Sequence, residues 1–320
     1  MERREFLRTS CVAGLAALGT GAAVASGQEE PARRPGESDT LYRARLARAQ
    51  AAQRARERGP QTSRRPGESD AAYRQRLVRE RAVATARSRA SGREYYELRR
   101  YEIESEEQKA GFDAFMGAAA IPALNRLGIA PVGVFYPWEG LSPIYVLVPH
   151  DSSNSVASLR QRLEGDASFM EKGADFLNAP AEKPAYKRMT SSLMIAFEGM
   201  PHLERPIWSA GRVLQLRTYE SPSVKTGQKK IEMFNTAEID IFRKTGLNPV
   251  FFGETLVGDK MPNLTYMLVF NDMEEREANW KRFVSSPEWK ELSSIPEYAD
   301  KKILCGITNL FLKPAEYSQI

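Results

Sequence analysis

The sequence predicts an α+β fold in which two tandem βαββαβ modules, residues 94–199 and 211–320, close into one barrel behind a basic N-terminal arm that is helical or disordered. Three observations carry this. Beyond Gly92 the apolar residues alternate in short strand-like runs, the order of strand-like and helix-like runs repeats, and the second half returns to the text of the first at a constant offset. With 320 residues, 42% apolar and 27% charged, the chain can bury a sizeable core, which excludes a wholly disordered or collagen-like protein. The net charge of +5 hides two parts of opposite sign. Residues 28–93 hold 17 arginines, no lysine and 8 acids, whereas residues 94–320 hold 26 bases and 31 acids, so the positive excess lies in the arm and the rest is mildly acidic.

The chain begins with Arg3-Arg4-Glu5-Phe6-Leu7-Arg8, an apolar Gly/Ala-rich run from Val12 to Val24, and the small-residue site Ala23-Val24-Ala25. Residues 1–27 resemble a bacterial twin-arginine export signal, with Glu2 where that signal usually has Ser or Thr. The resemblance implies export to the periplasm or cell envelope and cleavage after Ala25; retention as an uncleaved anchor is the alternative. The apolar run is shorter than the ~20 residues of a membrane-spanning helix. Cys11 falls within this segment, which leaves Cys305 as the one thiol of the mature chain and no internal disulfide.

Within the arm, RRPGESDTLYRARLAR at 33–48 and RRPGESDAAYRQRLVR at 64–79 are near copies. Each opens on a Pro-Gly turn and an acidic capping triplet, then continues in strong helix formers with too few apolar residues for a core. An arm of this kind either grips an anionic surface, such as lipid headgroups or envelope polymers, or serves as a solvated tether. Nucleic acid is a poor match, because no aromatics are interleaved for base stacking and an exported protein seldom meets it.

The folded part repeats at an offset of 118: Tyr96-Glu97-Leu98-Arg99-Arg100-Tyr101-Glu102 aligns with Leu214-Gln215-Leu216-Arg217-Thr218-Tyr219-Glu220, and Leu127 to Val132 with Thr245 to Val250. After a three-residue change of offset, Tyr145 falls opposite Tyr266. In the second half the pattern reads strand 212–220, helix 227–245, strands 249–258 and 262–271, helix 274–292 broken at Ser286-Pro287, and strand 303–313, with 200–210 as the connector before it. That order is ferredoxin-like, and two such modules hide their bare sheet faces by closing on each other. The strand YELRRYE or LQLRTYE, the turn Gly246-Leu247-Asn248-Pro249-Val250, and Trp280-x-x-Phe283 followed by Pro287-Glu288-Trp289 resemble the NIPSNAP family over about 94–315. The resemblance implies a dimeric α/β-barrel fold. It implies no defined reaction, since members of that family are discussed as signalling, trafficking or scaffold proteins.

Candidate functional residues follow from strand alternation. The leucine face of the strand at 212–220 is expected to meet the helices, leaving Arg217 and Tyr219 in the barrel lumen, with Arg99 and Tyr101 as their first-half counterparts. Glu254 on the next strand would reach Arg217, and Tyr266 would complete a pocket for an anionic or quinone-like small molecule. The alternative is an internal Arg–Glu pair with aromatic packing, because a buried guanidinium needs a partner. No cofactor or metal is predicted: two histidines supply no cluster, and a haem would have only His150 as axial ligand, a residue that reads more simply as part of a loop with a local hydrogen bond. No catalytic residue is assigned. The sequence thus points to an exported binding or scaffold protein, with a cofactor-independent oxygenase or isomerase working in the lumen as the alternative; pairing of exposed strand edges between copies is left open.

Overall fold

A computed structural model describes Tyr42 and residues 92–205 and 211–320. The chain divides into a unit of residues 1–46 and a unit of residues 47–320, and the barrel belongs to the second. The export signal and the predicted arm helices lie outside the described residues, Tyr42 apart. No described helix is long and apolar enough to cross a membrane.

The first half runs β1 (Tyr95–Glu102), α1 (Glu106–Phe115), a π turn (Met116–Ala120), α2 (Ile121–Arg126), β2 (Gly133–Pro137), β3 (Ile144–His150), α3 (Ser153–Glu164), α4 (Ala167–Lys172), α5 (Ala174–Leu177) and β4 (Arg188–Ala196). The second half runs β5 (Val213–Glu220), α6 (Val224–Met233), a π turn (Phe234–Glu238), α7 (Ile239–Thr245), β6 (Asn248–Val257), β7 (Asn263–Phe270), α8 (Met273–Ser285), α9 (Pro287–Ser294), α10 (Asp300–Ile303) and β8 (Gly306–Pro314). Strand order in the closed barrel is β1-β3-β2-β8-β5-β7-β6-β4, antiparallel throughout. Each half therefore contributes a four-stranded ferredoxin-like sheet, and the sheets join at β2–β8 and β4–β6.

Local chemistry starts and stops these elements where the offset of 118 expects them. Ser105 caps α1, Ser223 caps α6 in a capping box with Thr226, and Gly128 and Gly246 end the first helical stretch of each half at φ 77° and 84°, a backbone that glycine adopts without steric cost. Ser286 stops α8, and its side chain accepts from the Trp289 amide to start α9, so the predicted break at Ser286-Pro287 is present.

Two apolar clusters fill the spaces between sheet and helices, one per half. A third takes side chains from all eight strands, among them Tyr96, Phe135, Tyr145, Met194, Leu214, Leu216, Phe251, Met267 and Leu312, and it fills the barrel interior. This reverses the expected faces of the strand. Leu214 and Leu216 point into the barrel, while Gln215, Arg217 and Tyr219 point out beneath the helices, as do Arg99 and Tyr101 in the first half. An eight-stranded barrel is just wide enough for its own side chains to fill it, and Leu and Phe do so without polar atoms to satisfy. Arg99, Tyr101, Gln215, Arg217 and Tyr219 go instead to the face that the helices cover, whereas Tyr96 and Tyr145 join the interior packing. A second correction concerns register. Tyr266 pairs with Arg217 and its counterpart opposite Arg99 is Val146, so Tyr145 is one residue out of step and faces the interior; a one-residue slip exchanges the faces of a strand.

Candidate functional site

Three polar constellations occupy the outer face of the barrel. In the first half, the Arg99 guanidinium donates to both oxygens of Glu97, Nε to Oε1 at 2.8 Å and Nη2 to Oε2 at 2.7 Å, and Ser191 Oγ donates to Oε1 at 2.9 Å. His150, buried at the end of β3, shares a 3.0 Å hydrogen bond between Nδ1 and Ser155 Oγ and brings Nε2 to 3.8 Å from Glu97 Oε2. Burial alone would raise the Glu97 carboxyl; contacts with His150, Arg99 and Ser191 outweigh it and hold the group well below the usual carboxylate range. His150 and Ser155 also line a cleft of about 240 Å³ with Glu94, Asp151 and Arg162. The hydrogen bond of His150 is local, as expected, but the residue closes a strand rather than sitting in a loop, and it ties that strand to α3. Tyr101 packs against Phe112 and Tyr186, ring centroids 5.0 and 5.3 Å away, and so belongs to the core.

A second cluster joins the tail of the chain to α1. Asp113 accepts from Tyr317 at 2.6 Å and from Tyr136, and pairs with Lys109 at 2.7 Å. Tyr136, which stands 118 residues before Glu254, thus helps anchor the tail.

The second half gathers more of the predicted residues. Arg217 and Tyr266 face each other across β5–β7, Tyr219 and Tyr266 share a 2.9 Å hydrogen bond, and the Arg217 guanidinium carbon lies 5.3 Å from the Tyr219 ring and 4.9 Å from the Trp280 ring. Glu254 is not with them. It sits opposite Leu264 and Ile195, whereas the row through Arg217 and Tyr266 ends at Phe252, so two strand spacings across and two residues along β6, about 12 Å of backbone, separate it from Arg217. The expected Arg217–Glu254 pair does not form.

Beneath Tyr219 lies a buried pair that sequence reasoning missed. Lys230 on α6, 1% exposed, is 3.2 Å from Glu238, 2% exposed, and 3.5 Å from Asp300. Eight residues along an α-helix is about 80° past two turns, but the π turn absorbs one residue and brings position 238 back over position 230. Burial pushes the Glu238 carboxyl above its ordinary value against the pull of Lys230; burial also works against the charge on Lys230, which Glu238 and Asp300 more than restore.

Arg217 makes no close ion pair with a carboxylate among the described residues, Glu238 acting on it only at longer range, and its Nε is buried without a hydrogen-bond partner. The position that holds Glu97 in the first half holds Gln215 in the second. Its Oε1 accepts from Trp280 Nε1 at 2.8 Å and its Nε2 donates to Asn309, the residue opposite Arg217 on β8, at 2.7 Å, so both ends of the amide are committed to partners other than Arg217. This exchange is visible in the aligned strands, YELRRYE against LQLRTYE.

Residues 214–319 match the NIPSNAP family model, so the second half of the chain carries a NIPSNAP domain. Among solved structures, the chain is similar to a NIPSNAP-like domain protein from Burkholderia xenovorans, with 19% identity, a TM-score of 0.31, and coverage of 34% of this chain and 90% of that one. A NIPSNAP family protein from Agrobacterium tumefaciens matches at 17% identity and a TM-score of 0.30, covering 33% and 96%. A candidate monooxygenase from Fusobacterium nucleatum matches at 8% identity and a TM-score of 0.48, covering 70% and 93%. No curated protein matches the chain.

Proposed function

We propose that this chain, whose second half is a NIPSNAP domain, is an exported binding or scaffold protein of the cell envelope, built from two tandem copies of one ferredoxin-like module and working from the outside of its barrel. The filled interior is the observation that carries this reading. A cofactor-independent oxygenase or isomerase working in the lumen would need a chamber where Leu214, Leu216, Phe251 and Met267 stand. The buried polar groups at Arg99, Lys230 and Arg217 lie on the outer, helix-covered face, while Arg100 and Glu102 on the inner face pair with each other. Export rests on the twin-arginine-like start, and attachment rests on the 17 arginines of residues 28–93, which suit an anionic lipid or polymer surface.

The test is sedimentation of the mature protein with phosphatidylglycerol vesicles, against phosphatidylcholine vesicles, at low and high salt. The full mature chain should bind the anionic vesicles, lose that binding as salt screens the charges, and fail to bind once residues 28–93 are deleted. Equal binding by the truncated chain would remove the role of the arm.

A further inference from the structure

The two halves treat the same arginine differently. In the first, the Nε and Nη2 edge of Arg99 is closed by the Glu97 carboxylate. In the second, Gln215 stands in the place of Glu97 and is committed to Trp280 and Asn309, leaving the equivalent edge of Arg217 with a buried Nε that bonds nothing. Leaving such a donor dry and unpaired costs free energy that a matching acceptor recovers.

A second guanidinium reaches the same place. The N-caps Ser152 and Asp272 align α3 with α8, which puts Arg276 where the first half has Val156. Arg276 and Trp280 are one helical turn apart on the same face of α8. Trp280 lies over Arg217, and the Arg276 guanidinium carbon lies 5.3 Å from the ring of Phe311, the residue paired with Gln215 across β5–β8. Arg276 likewise has a buried Nε with no partner, and no carboxylate pairs with it among the described residues. Burial lowers its pKa, and the like charge of Arg217 lowers it further. Both arginines are half-buried, within reach of solvent, and each guanidinium is laid against an aromatic ring.

We propose that the outer face of the second half, between β5 and α8, binds a carboxylate-bearing small molecule through Arg217 and Arg276, the ligand's carboxylate taking the place that Glu97 fills in the first half. Two planar forks suit a carboxylate bidentately, and Trp280 and Phe311 offer an apolar wall to the rest of the molecule. The site does not involve the arm, so this proposal and the vesicle reading stand or fall separately.

The probe is benzoate, titrated calorimetrically into the full chain, with inorganic phosphate as the competing anion. Benzoate should bind the unaltered protein. Gln215→Glu, which gives the second half its own internal carboxylate, should weaken binding about tenfold or more and at the same time raise the melting temperature; Arg276→Gln should weaken it comparably without that rise. The paired readout separates a filled site from a damaged fold, because a misfolded variant cannot melt higher. Benzoate binding to Gln215→Glu at full strength, or no binding to the unaltered protein, overturns the proposal. Binding of phosphate in preference to benzoate overturns its ligand class.

Discussion

Glu97 holds its charge inside a cage of donors, and that has a consequence for acid stability. Its folded-state pKa lies below its unfolded value, so the stability it contributes is present above the ordinary carboxylate pKa of about 4.3 and is lost as pH falls from there toward the folded value. Replacement by Gln keeps the shape and removes the titration. The Glu97→Gln variant should therefore be less stable than the parent at pH 7, and the difference should shrink as pH falls from about 4 toward 2. Urea denaturation across that range checks it, and a constant difference between the two proteins would show that the Glu97 contacts are not electrostatic. Solvent screening at the partly exposed Arg99 side chain keeps the effect to the order of 1 kcal/mol.

At the scale of elements, the π turns decide which side chains meet. Lys230 faces Glu238 only because one residue is taken up between them, and the pair is buried. Lys230→Met strands Glu238, whose carboxyl burial already biases toward the neutral form. The loss of stability should be about 3 kcal/mol near pH 8 and smaller near pH 5, where protonation relieves the stranded charge. Equal losses at the two pH values would mean that the lysine acts through packing alone.

The same elements separate what the sequence makes legible from what it does not. The offset of 118 places the strands and helices of the second half to within a few residues, because alternation and capping are local signals. It does not reveal which face of β5 is inside. Leu214 and Leu216 on one face and Arg217 and Tyr219 on the other are all at least partly covered, and only closure of the barrel decides that the leucines go inward. Nor does it reveal the π turns, since an extra residue in a helix leaves no mark in composition. Shared identity sets Tyr145 against Tyr266, whereas pairing to β1 and β5 makes Val146 the counterpart. Arg217, Tyr219 and Tyr266 do come together, Glu254 stays apart, and Arg276 is inconspicuous on a helix full of charges. Gln215 lies in plain view at the aligned position of Glu97; its meaning emerges only once Arg99 is seen holding that acid.

The eight described strands form one closed ring in which neither half closes its own sheet. Residues 211–320 expressed alone would expose the β6 and β8 edges and the apolar inner face that the first half now covers, surfaces that single sheets cannot leave in water. This fragment should run as a dimer in light scattering, with β6 of each copy on β8 of the other; a well-folded monomer would contradict the closure of one half by the other. Thinning the filled interior should also cost stability without touching binding. Leu216→Ala is expected to lower unfolding free energy by about 3 kcal/mol while benzoate affinity stays unchanged.

This barrel, then, is packed within, and the proposed site lies on its outer face. Methyl and indole NMR spectra of the protein during a benzoate titration test that most directly, because Leu214, Leu216 and Met267 report the interior while the Trp280 Nε1–H, held by Gln215, reports the outer site. The Trp280 indole resonance should move saturably while the methyl resonances of these three interior residues stay in place. Movement of the interior methyl groups with a stationary indole would put the ligand in the lumen and contradict an outer site.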